Sequence, residues 1–229
     1  MRAELLNSKD HARLRIRPTQ NAVPHFVQIV LSEFSAAAAS CPVLLTKDAS
    51  TGEFYAGAML GFKPGEPLKI TAADRAGFDP LHLVRDGFFV SGEQIAIDRD
   101  NPRFSETVGE PLFDEEQRPS VRLRHVQKAL FDLHQGIEST RQFIQSMLKL
   151  KLVEPIDVSL RFDSGEHLTL QGLYTVSLDS LRALPDADAL ELFRAGYLQH
   201  AYTMNVSLGQ IGVLAHLRNS QTGQARIAL

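Results

Sequence analysis

Residue types that do chemistry are present in this chain, but not at the spacings of the familiar sites. The eight histidines, His11, His25, His82, His125, His134, His167, His200 and His216, are scattered, and none has Asp or Glu two positions after it. A facial-triad iron centre needs that carboxylate, with a second His arriving later, to leave open positions on the metal. The zinc-peptidase spacing HExxH, the nucleophile elbow GxSxG, the phosphate loop GxxxxGK(S/T) and the dinucleotide pattern GxGxxG are also missing. The sequence therefore predicts no bound cofactor and no stoichiometric transition metal. The lone Cys41, between Ser40 and Pro42 at the end of an alanine-rich run, reads as a small packed residue. As a nucleophile it would need a neighbouring base to make a thiolate. The carboxylates Asp98, Asp100, Glu106, Glu110 and Asp114 to Glu116 offer oxygen ligands, but their spacing fits no calcium loop. They read as an acidic connection.

Five residues stand out because each sets a charge or a ring into a strongly apolar neighbourhood: Glu33, Phe34, Arg85, Asp86 and Arg141. A charge so placed is either paired internally or meets a ligand. These five are the candidate interaction residues, with a structural ion pair, Glu33 to Arg85 in particular, as the competing account. The aromatics Tyr174, Phe193, Tyr197 and Tyr202 read as core, with a peptide-binding groove as the alternative.

The elements that must position these groups follow from pattern. Phe26 to Leu31 reads as a strand, followed by a short alanine-rich helix that Pro42 stops. Val43 to Thr46 and Phe54 to Phe62 read as strands around a turn at Gly52, and Leu68 to Thr71 as a further one. Leu81 to Val90 reads as a helical turn running into a strand from Phe88, and Glu93 to Asp98 as the next strand. The clearest helix lies in 118–151, with Pro119 in its first turn and Pro155 ending it. Its stripe is Val126, Leu130, Leu133, Ile137, Thr140, Ile144 and Met147, at alternating four- and three-residue steps. Ile156 to Phe162 and His167 to Tyr174 alternate about Asp163-Ser164-Gly165-Glu166 as a hairpin. Helical segments follow to about residue 217. Strands, one long helix, a hairpin and then helices amount to an α+β fold, in which an antiparallel or mixed sheet carries packed helices. Its landmarks are one long central helix and a helical C-terminal part.

Composition narrows the classes of partner. With 229 residues, 44% of them hydrophobic, the chain can bury a sizeable core. A formal net charge of −3 argues against non-specific binding to a phosphate backbone, so no nucleic-acid partner is expected. No apolar run approaches the roughly 20 residues that span a bilayer, and the first residues lack the apolar stretch of a secretory signal. A cytoplasmic protein without membrane insertion is the expectation. Residues 1–22 carry five Lys/Arg against two acids and read as a flexible lead-in. Residues 23–219 read as a single domain and 220–229 as a tail.

Several segments together resemble one family. They are 33–62 (EFSAAAASCPVLLTKDASTGEFYAGAMLGF), LVRDGFFV at 83–90, GEPLFDEE at 109–116, Thr140-Arg141-Gln142-Phe143, LQGLYTVSLDSLRALPD at 170–186 and RAGYLQHAYTMNVSLGQI at 194–211. On these the chain is similar to the SapC family of small bacterial proteins, named for a gene near surface-layer genes. It departs from the family pattern in three places. Pro67-Leu68 stands for an Asn-Leu, Phe78 for a Trp, and Arg85-Asp86-Gly87-Phe88 for a doubled Arg followed by Tyr-Pro-Phe. The resemblance implies an accessory protein that binds another protein or a peptide. Genes of this kind keep company with TonB-dependent receptors, flavin-dependent tryptophan halogenases and cupin- or JmjC-like hydroxylases. That company implies a part in modifying or transporting a peptide or surface protein. The alternative is a small enzyme or metabolite-binding protein whose site is assembled from dispersed residues. The missing motifs favour the accessory reading.

Overall fold

The structure is a computed structural model that describes residues 2–17, 24–64 and 77–225, the last four of them as backbone only. The expected strand at Leu68 to Thr71 and the Pro67-Leu68 departure lie outside the described residues. The chain is α+β, and every described strand pairing is antiparallel. The chain divides into two compact units, each assembled from two stretches of sequence. One comprises Met1–Asn21 with Asp79–Gln135, and the other Ala22–Phe78 with Gly136–Leu229.

The first unit has two small sheets. In one, β7 (Gln94–Asp98) lies between β1 (Ala3–Leu5) and β6 (Phe88–Ser91). In the other, β2 (Arg15–Ile16) lies between β8 (Phe104–Ser105) and β9 (Glu110–Pro111). The stretch expected as a lead-in carries β1 and β2 in its described part. Ala3 pairs with Asp98, Arg15 with Ser105, and Leu14 and Ile16 are buried. A short run such as RLRIR has too few apolar positions to reveal a strand, and its burial comes from partners about ninety residues away. Leu14, Ile16, Phe88, Ile97, Phe104 and Leu112 form this unit's core with Leu123, Val126 and Leu130 of the long helix α3 (Val121–Lys149). The helix α2 (Leu81–Val84) completes the unit.

The second unit is built on one five-stranded sheet of order β10-β11-β4-β5-β3. Its strands are β3 (Phe26–Gln28), β4 (Val43–Lys47), β5 (Phe54–Met59), β10 (Val153–Arg161) and β11 (His167–Val176). A 3-10 turn at Leu31–Glu33 leads into α1 (Phe34–Ala38). The helices α4 (Leu178–Arg182), α5 (Asp186–Arg194), α6 (Tyr197–Ser207) and α7 (Gln210–Ala225) follow the hairpin. Because α7 runs past residue 220, the expected tail at 220–229 is helical as far as it is described. Ser207 joins α6 to the sheet, its buried hydroxyl accepting the Val43 N–H at 2.8 Å. Leu44, Met59, Phe62, Phe162, Leu173 and Leu214 form one buried cluster, on which alternate residues of the β10–β11 hairpin pack.

Helix α3 begins and ends differently from expectation. Ser120, after Pro119, is the cap, its Oγ accepting the Leu123 N–H at 3.2 Å. At the other end Lys151 takes a left-handed φ of 55°, with Leu152 N–H bonded to Met147 C=O at 2.9 Å and Lys151 N–H to Leu148 C=O at 3.0 Å. That pair of hydrogen bonds closes the helix with a Schellman turn, and buried Leu152 supplies its apolar contact. Pro155, expected to end the helix, lies within β10, an edge strand where a missing N–H is tolerated.

Candidate functional site

Each of the five singled-out residues has a definite place. Glu33 and Phe34 belong to the second unit and are buried. Glu33 Oε2 accepts the Val30 N–H at 2.9 Å, which fixes the 3-10 turn. Phe34 is in edge-to-face contact with Phe143 at 5.8 Å and with His200 at 5.7 Å. Tyr197 extends this stack through Phe143 at 5.4 Å. Such pairs add about 0.5–1.5 kcal/mol each beyond the area they bury. Both side chains pack inside the second unit. Burial also lowers the His200 imidazole below its ordinary value.

Arg85 and Asp86 belong to the first unit, at the end of α2. Arg85 Nη2 lies 3.1 Å from His82 Nδ1, and Arg85 Nη1 donates to the Phe88 carbonyl at 3.5 Å. Nδ1 of His82 therefore accepts, and its proton sits on Nε2, which is buried without a protein partner. Burial first, and the Arg85 cation second, hold the His82 pKa down at about 4. Asp86 accepts from Asn101 Nδ2 at 3.2 Å and lies 3.9 Å from Arg103 Nη1. Arg103 is the residue that sequence reasoning missed. It is 3% exposed, and its Nη1 reaches the carbonyls of Leu83, Val84 and Asp86 at 2.9, 3.4 and 3.0 Å. It thus caps the carbonyls that α2 leaves open, a structural duty that an arginine among acidic neighbours does not advertise.

Arg141 leads to a different place. It forms a surface pair with Glu138 at 3.2 Å and lines a groove of about 700 Å³ in the second unit. One wall is α3, through Ile137, Thr140, Arg141, Ile144 and Leu148; the other is the end of β3 with the β4–β5 hairpin, Asp48 to Ala56. The wall distance is set by Gly136, where an added Cβ would fall 2.6 Å from the Val30 side chain. Thr140 Oγ1 then accepts the Leu31 N–H at 2.8 Å and donates to the Gly136 carbonyl at 2.6 Å. Ile137 was expected in the buried stripe of α3 but is 45% exposed, and Leu148 is 40% exposed. The remaining stripe residues, Val126, Leu130, Leu133, Thr140, Ile144 and Met147, are buried.

The groove also meets a sheet edge. β3 pairs with β5 as far as Gln28 opposite Gly57, and Ile29 N–H still reaches Ala56 C=O at 3.0 Å. The chain then leaves for the 3-10 turn. Met59 N–H bonds back to Pro42 C=O and Asp48 N–H to Glu53 C=O, both at 2.9 Å, so the odd-numbered residues of β5 face β4. By alternation the N–H and C=O of Phe54 face the side that β3 has left. The signals for this site were the turn sequence Asp48-Ala49-Ser50-Thr51-Gly52 and the apolar Leu148 outside the core stripe. Of the four aromatics expected in the core, Tyr174 packs on Phe54 at 4.9 Å and Tyr197 joins the Phe34 stack, whereas Phe193 and Tyr202 are exposed.

Among the described residues no three His, Cys, Asp or Glu side chains gather as a metal-binding group, and Cys41 is buried. No helix among them is long and apolar enough to cross a membrane. A family model described as SapC matches residues 6–214. No significant match was found among curated proteins or solved structures. The chain belongs to the SapC family.

Proposed function

We propose that this SapC-family chain is a non-catalytic accessory protein of the cytoplasm that holds a stretch of another polypeptide in the groove between α3 and the β4–β5 hairpin. The observation that carries the reading is the groove itself. It joins two half-exposed aliphatic side chains, Ile137 and Leu148, to a sheet edge with a backbone amide turned outward at Phe54. Apolar contacts beside an open strand edge are how extended peptides are bound, the backbone giving affinity and alternate side chains giving selectivity. The resemblance adds the setting, a system that modifies or transports peptides or surface proteins alongside TonB-dependent receptors. In that setting the client is a polypeptide, and the reading requires neither a metal nor an organic cofactor.

Selection of displayed random twelve-residue peptides on the full chain tests the proposal. Selected peptides are expected to bind with micromolar affinity. The double variant Ile137→Gln, Leu148→Gln should weaken them at least tenfold, about 1.4 kcal/mol, while leaving the melting temperature within a degree or two. Both side chains are half exposed and neither change alters charge. Peptides indifferent to that variant, or no selected peptides at all, would show that the groove is not the site.

A further inference from the structure

The groove's charges are placed at one end. Asp48 and Glu53 flank the β4–β5 turn, whereas Arg141 on α3 is the lining cation and already has Glu138 as its counter-ion. Asp48 is held as a carboxylate: its Oδ1 accepts the Ser50 and Thr51 N–H groups, both at 2.9 Å, and the Ser50 hydroxyl at 2.5 Å. Those bonds, the Ser50 hydroxyl first, lower its pKa to about 2, so it carries full charge at any physiological pH. They all fall on one oxygen. The lining therefore presents two carboxylates against one neutralised guanidinium, beside an apolar wall and an outward-facing backbone amide.

Resting on the function proposed above, we infer that the occupant is an extended, basic segment, with a Lys or Arg placed at the Asp48–Glu53 end and an aliphatic side chain between Ile137 and Leu148. The backbone of such a segment takes up the Phe54 N–H and C=O, as the Ile29 N–H takes up the Ala56 C=O one step earlier. Successive side chains of a strand point to opposite faces. The aliphatic residue on the α3 side and the cation at the hairpin therefore stand an odd number of residues apart. An acidic segment would bring its carboxylates against Asp48 and Glu53, and like charges so juxtaposed repel.

The same peptide selection separates this inference from its premise. Peptides rich in Lys and Arg are expected. Their affinity should fall at least tenfold in the double variant Asp48→Asn, Glu53→Gln, in which the substituted amide's carbonyl oxygen can still accept the turn's N–H groups. It should also fall as salt is raised from about 50 to 300 mM. Peptides that need Ile137 and Leu148 yet carry no basic preference and ignore the charge variant would overturn the inference and leave the groove reading standing. If no peptide depends on Ile137 and Leu148, the premise falls and the inference with it.

Discussion

His82 shows at the residue scale how a neighbour decides chemistry. Its ring is largely enclosed, Nδ1 faces the Arg85 guanidinium, and both circumstances disfavour a second positive charge. The folded pKa is about 4, against about 6.5 in an unfolded chain. Between these values the unfolded state binds the proton and the folded state does not, so stability rises with pH across that window and is fully retained above it. His200, lowered by burial, acts in the same sense. Thermal melts from pH 7 to pH 4.5 should therefore show a falling midpoint, and His82→Gln should flatten part of that slope. A slope unchanged by the substitution would place the acid sensitivity elsewhere. None of this is legible in the sequence, where His82 and Arg85 are only three positions apart. Whether such a pair is wet or enclosed is decided by how the chain folds round it, as where Arg85 also donates to the Phe88 carbonyl.

Elements were more legible than residues, and α3 shows why. A 29-residue helix repeats its apolar spacing often enough that one misplaced position does not hide the period. Val126, Leu130, Leu133, Ile144 and Met147 are buried as that spacing predicts. Ile137 fails because periodicity gives a stripe and not the width of the surface covering it. The wall opposite Ile137 is a hairpin turn, and the space before it is the groove. Strands of two or three residues such as β1, β2, β8 and β9 lie below what alternation can reveal. Gly136 is the element-scale test. In an exposed helix, Gly to Ala stabilises by up to about 1 kcal/mol. Here the added methyl would fall 2.6 Å from two Val30 carbons, so α3 or the 3-10 turn must shift. Overpacking of this kind costs about 1–3 kcal/mol, and Gly136→Ala should lower the denaturant midpoint accordingly. The Leu31 to Thr140 hydrogen bond would lengthen with it. A stabilised variant would mean that Val30 yields freely and that the glycine does not set the groove width.

At the scale of the whole molecule, sequence order and packing order diverge. The N-terminal stretch reads as a loose leader because its partners, Phe104, Asp98 and Pro111, lie roughly ninety residues ahead. The result is two units, each assembled from segments of different parts of the chain, with α3 falling in one as far as Gln135 and in the other from Gly136. Leu112, fully buried, belongs to the core that includes Leu14, Ile16, Phe88 and Val126. Leu44, also fully buried, belongs to the cluster that includes Met59, Phe62 and Leu173. A large-to-small change at either site should cost about 2–5 kcal/mol through lost burial and a residual cavity. Local stability follows the cooperative unit in which the loss occurs. Leu112→Ala should therefore speed native-state hydrogen exchange at the amides of β2, β7 and β8 while those of β4, β5 and β11 keep their protection. Leu44→Ala should do the reverse. Equal loss of protection across all six strands in both variants would show that the chain opens as one unit, and that the division seen in packing has no counterpart in its energetics.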